Sequence, residues 1–313
     1  CVTPPGEIEE ILALAKAGMT VTVFGDVMKV PGEKESLNDA KAGGADIRVV
    51  FGIDDAVAIA RTSTKDVVFM GIGFETTAPT TASALLSDPP PNFSVLSCHR
   101  TVPPALEAIA NMGEIRLDGM IEPGHVSTII GTKPYEFMSK QHQIPQVVAG
   151  FEPIDLMMAV FMIAKQVEES RAEVENEYTR VVHPDGNPAA LKAMSDAFEP
   201  TDVAWRGFPV IEKSGLAIRK KFGEHDARKR YDDLLGPIHA RKYTEARGCR
   251  CGEMLRGILK SEECPLFGNR CTPSTPVGPC MVSREGNCYI SYRYQRGRKA
   301  LHGPSGRERK PRK

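Results

Sequence analysis

Six cysteines crowd into the forty residues from Cys249 to Cys288, in the runs CRCGEMLRG, CPLFGNRCTP and VGPCMVSREGNC. Thiolate is the common nucleophile and soft-metal ligand of proteins, so this density points to metal, disulfide or redox chemistry. The rest of the 313-residue chain holds only Cys1 and Cys98, so the clustering is not compositional drift. Cys264, Cys271, Cys280 and Cys288 follow a C-x6-C-x8-C-x7-C spacing, with the Cys249-x-Cys251 pair apart upstream. Structural zinc usually shows C-x2–4-C pairs, which are absent here. A secreted disulfide scaffold fits poorly with the long α/β-like body. An iron–sulfur cluster needs four thiolates and tolerates varied spacing. Pro265, Gly268, Gly278, Pro279 and Gly286 beside the cysteines suit loops whose amides turn toward cluster sulfurs. Spacing alone favours iron–sulfur, and leaves zinc and disulfides open.

Two turns carry the other candidate chemistry. The GIGFETT stretch at 71–77 follows a predicted strand and precedes a predicted helix, where backbone N–H groups and threonine hydroxyls suit an anion. It lacks the lysine of a P-loop and the third glycine of a dinucleotide fingerprint, so it is a weak nucleotide motif. PGHVST at 123–128 also sits at a predicted strand end, where α/β proteins place their sites. Glu75, Thr76, Thr77 and His125 are therefore the candidate site residues of a cleft between two α/β units. The competing reading is a nucleotide-binding α/β enzyme with a structural zinc site.

The elements that must position these residues alternate along the chain. Residues 7–17 place Ile8, Ile11, Leu12 and Ala15 on one helical face, behind Pro4 and Pro5 and before Gly18. Strands are expected at 19–24, 47–51, 65–70 and 93–97, with helices at 36–42, 54–61 and 103–112 and one following the 71–77 turn. The second part repeats the theme, with strands at 117–121, 146–150 and 178–182. The apolar run 154–164 reads as a buried helix, and helices are expected from Asn187-Pro188 to about 198 and over 224–235. This βα rhythm predicts parallel sheets covered by helices. From about Gly248 the chain is short turns, Pro, Gly and Cys, which a metal or cross-links can hold and a hydrophobic core cannot. The expected organisation is α/β: two parallel-sheet domains at 1–115 and 116–242, a Cys-rich iron–sulfur domain at 243–295, and a basic disordered tail at 296–313.

Lys+Arg 40 balances Asp+Glu 40, so no overall field draws the body to nucleic acid. No apolar run reaches the roughly 18 residues of a membrane span. With no signal segment visible, a reducing cytoplasm is expected, and a lipid-anchored envelope protein beginning at Cys1 is the less favoured alternative.

At this point the residues resemble one family, the HypD proteins of [NiFe]-hydrogenase maturation. The matching stretches are CVTP at the start, VTVFGDVMKVPG, GIGFETTAPTTA, HRTVPPAL, IEPGHVSTIIG, QVVAGFEPIDLM, CRCGEMLRGILK, CPLFGNRCTPSTPVGPCMVSREGNC and YISYRY. They run in order from residue 1 to about 294, and the basic tail lies outside the resemblance. The resemblance implies three domains and a [4Fe-4S] cluster with Cys264, Cys271, Cys280 and Cys288 as ligands. It implies a scaffold role in assembling the Fe(CN)2CO unit, with iron held transiently together with its cyanide and carbon monoxide ligands. The implied partners are a small HypC-type chaperone, a HypE-type cyanide donor and, indirectly, the hydrogenase large subunit. Thiols in the interdomain cleft take part in holding or reducing that iron, which makes Cys1 a candidate iron thiolate.

The sequence departs from the family pattern at its beginning. The family carries a thiol pair in a G-P-G-C-P-V-C-V-T-P motif and a further cysteine in an upstream C-G-T-H-E stretch; here only Cys1 remains. A fragment or a truncated copy is the expectation, with marginal folding of the isolated chain. Cys98 is expected to be a buried packing thiol, and Cys249 and Cys251 receive no ligand role.

Overall fold

In the computed structural model of the chain, the described residues are 2–241, 243 and 248–294. Cys1 and the basic tail lie outside them.

The first half lays down a four-stranded parallel sheet: β1 (Thr20–Val23), β2 (Ile47–Val49), β3 (Val67–Gly73) and β4 (Phe93–His99), in the order β2-β1-β3-β4. Every residue of β1 and β4 is buried, as expected of strands covered on both faces. Strand alternation divides the core. Val68, Met70, Leu96 and Cys98 face one layer, and Val67, Phe69, Phe93 and Val95 face the other. The first layer is α1 (Pro5–Lys16), with Ile8, Ile11, Leu12 and Ala15 buried, and α2 (Leu37–Ala42). Ser36 and Asp39 close a reciprocal capping box on α2. The other layer is α3 (Ile53–Thr62) and α4 (Ala78–Leu86). At the start of α3 it is Asp55, one residue beyond the expected Asp54, whose carboxylate accepts from the amides of Phe51 and Gly52.

After α5 (Val102–Asn111) comes a second, three-stranded parallel sheet: β5 (Met120–Pro123), β6 (Gln146–Ala149) and β7 (Val174–Asn176), with β6 central. Between β5 and β6 lie α6 (Gly124–Ile130) and α7 (Glu136–His142); between β6 and β7 lies α8 (Pro153–Glu168). Two expectations are corrected here. The strand expected at 178–182 is a turn, and β7 forms just before it, in the first segment that can reach the edge of β6. The apolar helix expected to be buried is instead largely exposed: Ile154, Met157 and Phe161 are 63%, 68% and 61% accessible. Its small Ala159, with half-buried Met162 and Ile163, packs against Val147 and Ala149, so the bulky stripe faces away from the sheet.

The chain then returns to the first sheet. Helix α9 (Pro188–Ala197), capped by the Asn187 side chain on two amides, packs on α4. An antiparallel hairpin, β8 (Phe198–Ala204) and β9 (Val210–Ile218), follows, and Gly215 bridges to Arg100 at the end of β4. The single helix expected over 224–235 is broken into a 3-10 turn, α10 (Ala227–Arg230) and α11 (Asp232–His239), which bury Ala227 and Leu235 in the α1 layer. The last third of the expected 116–242 unit therefore packs with the first sheet.

The Cys-rich region contains short helices α12 (Cys251–Leu255), α13 (Pro279–Val282) and α14 (Asn287–Tyr294) around a small core of cysteines, Met254, Leu259 and Met281. Arg256 ties it to the body: its carbonyl accepts from the Arg116 amide at 2.8 Å, and its guanidinium donates to the Met112 carbonyl at 3.0 Å.

Candidate functional site

The C-terminal ends of parallel strands gather loops at one rim of a sheet, where α/β folds hold ligands. At the end of β3 the strand runs on through Gly73, two to three residues further than expected, and Gly73 has φ +117. A side chain there would collide with Thr77, so glycine is needed in this tight turn. The Thr77 hydroxyl donates inward to the carbonyls of Ile72 and Phe74, at 3.0 and 3.3 Å, and is spent on the turn. Thr76 is exposed.

Glu75 is 2% accessible. One carboxyl oxygen accepts from the Val102 amide at the start of α5, at 2.9 Å, and the other has no partner. Burial pushes its pKa up to about 7. His99, at the end of β4, is driven down to about 4 by burial and stays neutral, its Nε2 3.0 Å from the Thr81 hydroxyl.

The second sheet contributes β5, which ends in Glu122-Pro123, and α6, which starts directly at Gly124 with no intervening turn. A Cβ on Gly124 would clash with the Ala149 carbonyl and the Tyr178 ring. His125 is exposed, with its ring stacked on Phe151 at a centroid distance of 4.0 Å. Glu122 is only 1% accessible, one carboxyl oxygen has no partner, and burial raises its pKa to about 7. The only signal for Glu122 in the sequence is an acid flanked by Ile121 and Pro123 in a strand too short to announce which face is covered.

Cys1 lies outside the described residues. Its neighbour Val2 packs with Phe74, Trp205 and Ala105, and the Val2 carbonyl accepts from the Arg206 amide at 2.8 Å. The N-terminal strand of chain thus runs beside the Glu75 loop. Behind it lies an ion network that the sequence does not advertise. Arg100 donates to Glu7 at 2.8 Å and Arg228 to Glu10 at 2.8 Å, while His239 bonds to Glu10. Burial alone would raise Glu10, but the His239 hydrogen bond and the Arg228 charge bring its pKa down overall. Cys98 is buried, and burial, then the Glu7 charge, raises its thiol well above the usual range, as suits an inert packing group.

The second centre is a thiol cage. Cys249, Cys251, Cys264, Cys271 and Cys288 line one cavity, walled by Met254, Leu259, Leu266, Phe267 and Met281. Cys280 is buried beside Cys251 and is not among the lining residues. The structure therefore gathers all four cysteines of the C-x6-C-x8-C-x7-C run into one cluster with Cys249 and Cys251; Cys264, Cys271 and Cys288 line the cavity and Cys280 sits against Cys251 behind it. Cys249 and Cys251 sulfurs lie 3.2 Å apart. The Val277 amide donates to the Cys271 sulfur at 3.4 Å, and a Cβ on Gly278 would overlap the Cys249 sulfur. Hydrogen bonding, first from Cys249, pushes the Cys251 thiol up, while the bond from Cys251 holds Cys288 down to about 7. Among the described residues no group of three acidic, histidine or cysteine side chains is placed to hold a single metal ion, and no disulfide forms. A set of soft donors spread around an apolar cavity, with amides aimed at sulfur, matches the demands of a thiolate-bound cluster.

Comparison with known proteins gives a consistent relationship. The HypD model, described as "Hydrogenase formation hypA family", matches residues 1–295. A Methanocaldococcus jannaschii protein named for hydrogenase expression/formation is 46% identical over 300 residues, covering 95% of this chain and 82% of the relative. The hydrogenase maturation factors HypD2 of Bradyrhizobium diazoefficiens and HypD of Rhodobacter capsulatus are each 43% identical, over 311 and 306 residues. They cover 95% and 96% of this chain, and 80% and 81% of the relatives.

Proposed function

The chain belongs to the HypD family of hydrogenase maturation factors, and we propose that it is the scaffold on which the Fe(CN)2CO unit of [NiFe] hydrogenase is built. A role in hydrogenase maturation follows from the family; the assembly chemistry is our reading. The observation that carries it is the thiol cage tied to the α/β body through Arg256.

In this reading the cage would hold a [4Fe-4S] cluster, with Cys264, Cys271, Cys280 and Cys288 as ligands by the family resemblance and Cys249 or Cys251 as the competing fourth ligand by its place in the cavity wall. The cluster, when bound, supplies electrons. The residues of the chain do the rest. Val277 N–H and the close approach allowed by Gly278 stabilise negative charge on sulfur, and the apolar walls keep water away. Cys1, outside the described residues, offers a thiolate to the cargo iron; its neighbour Val2 packs in the cluster that holds Phe74 and Trp205. Of the four candidate residues on these loops, Thr76 and His125 are exposed and open to cargo or partner, while Glu75 is buried and the Thr77 hydroxyl holds its own turn.

The outward stripe of α8 is the surface for the small HypC-type chaperone. Ile154, Met157, Met158 and Phe161 recur at i, i+3, i+4 and i+7, the spacing with which one helix presents anchors to another surface. The HypE-type cyanide donor and the hydrogenase large subunit act later in the sequence. A cytoplasmic location fits seven thiols left reduced, and no described helix is long and apolar enough to cross a membrane.

The test is a serine scan of the six cage cysteines in anaerobically purified protein, reading iron, sulfide and hydrogenase maturation in a strain lacking its own factor. Loss of iron at Cys264, Cys271 and Cys288 supports the cage, and the fourth sensitive position identifies the remaining ligand. Full iron content in the Cys271→Ser variant would remove the proposal's basis.

A further inference from the structure

Glu75 and Glu122 come from different sheets and have no covalent reason to share surroundings, yet both converge on Tyr135. Val102, whose amide donates to Glu75, packs on the small cluster of Tyr135, Val148 and Val182, in which Tyr135 is fully buried. Glu122 pairs in register with Val148, and Val148 packs against the same tyrosine. The Tyr135 hydroxyl is 3.1 Å from the Ser127 hydroxyl, which in turn donates to the Pro123 carbonyl, next in chain to Glu122. Burial first, and then the nearby Glu122 and Glu75 carboxyls, raise the Tyr135 phenol. One oxygen of each carboxyl is sealed from solvent without a partner. Among the described residues no cation answers either acid: burial is what acts on Glu122, and at Glu75 burial is opposed by backbone amides.

Two carboxyls in such a place are tolerated as neutral acids and not as anions, because an unpaired buried carboxylate loses its hydration with nothing in return. We propose that Glu75 and Glu122 form a proton-linked lock between the two parallel-sheet units: with both protonated the units pack through Tyr135, and loss of the protons drives them apart. The lock goes beyond the assembly role and holds whether or not that role is correct. Glu122 is a positioning residue in it, acting on the cleft through Tyr135 and the Glu75 loop.

The direction with pH follows from linkage. Both acids have folded pKa values of about 7, above the ordinary 4.5. Between those limits the unfolded chain gives up protons that the folded chain keeps, so stability from this source is greatest below pH 4.5 and falls as pH rises to about 7. Each acid changes the unfolding constant by up to about tenfold per pH unit in that window. His99, held neutral, works in the opposite direction over part of it, so the lock is read from the difference between proteins.

The experiment is urea unfolding of the full chain from pH 5 to 8, for the unaltered protein, Glu75→Gln, Glu122→Gln and the double variant. Glutamine keeps the shape and stays neutral. The lock predicts that each single variant removes up to about tenfold per pH unit from the pH dependence and the double variant up to about a hundredfold, with the protection factors of α5 and α6, corrected for the intrinsic base-catalysed exchange rate, no longer falling as pH rises. Unchanged pH dependence in the double variant overturns it. If the variants do not fold, infrared difference spectra of the unaltered protein decide: protonated-carboxyl bands persisting at pH 6 support the lock, and their loss by pH 5 refutes it.

Discussion

Arg100 and Glu7 show how a residue in this protein is fixed by a distant partner. They are separated by 93 positions in sequence and form a 2.8 Å ion pair, with the Arg100 side chain 3% accessible. Arg100 also donates to the carbonyls of Cys98, His99 and Ala204, so it clamps the end of β4 to α1 and β8. Arg100→Ala leaves the Glu7 carboxylate with only the longer Arg228 pair at 3.5 Å and three carbonyls without their donor, and is expected to cost about 3 kcal/mol in chemical denaturation. Joint replacement of Glu7 and Arg100 by apolar residues of similar volume is expected to recover much of that loss. None of this is legible in sequence, because charge pairing over such separations has no local pattern. The cysteines are the opposite case. Their density makes the cage visible, but the C-x-C spacing of Cys249 and Cys251 matches no common ligand rule, so only folding reveals that they line the cavity.

At the scale of elements, apolar periodicity identifies α8 but not the direction it faces. Asp155 and Gln166 are buried while Met157 and Phe161 are exposed, the reverse of what polarity suggests. Asp155 is held by a two-point bond from Arg180, with the guanidinium lowering its pKa through hydrogen bonding, and Gln166 reaches the Gln146 carbonyl. These side chains satisfy the helix against the sheet and leave the bulky stripe outward. Phe161→Glu is therefore expected to change stability by less than about 0.5 kcal/mol while abolishing co-purification with the small chaperone. A large loss of melting temperature would instead place Phe161 in the core. The glycines are more constrained. Gly124→Ala forces a methyl group onto the Ala149 carbonyl and is expected to cost about 1–3 kcal/mol, measured by urea unfolding. Several helices and strands of the first sheet are legible in the sequence because a local cap or a buried run marks them, as Ser36 with Asp39 does for α2 and TVTV for β1. The hairpin and the broken α10–α11 segment were not, since their packing depends on a sheet made some hundred residues earlier.

At the scale of the molecule, the chain builds a first sheet, leaves it to make a second, and returns to finish the first before ending in the thiol cage. That path brings α1, the end of β4 and α11 together around Glu7, Glu10, Arg100 and Arg228, and it packs Val102, whose amide holds Glu75, on the cluster that contains Tyr135. The α/β class and the order of its parallel strands are consistent with the βα rhythm of the sequence, whereas the return path is not encoded in any local motif. The cage is the feature on which the functional account depends. The most direct measurement is the iron and acid-labile sulfide content of the anaerobically purified chain, with its visible and electron paramagnetic resonance spectra. The account predicts brown protein with about four irons and four sulfides per chain, lost together in Cys271→Ser. Colourless protein carrying a single zinc would contradict it.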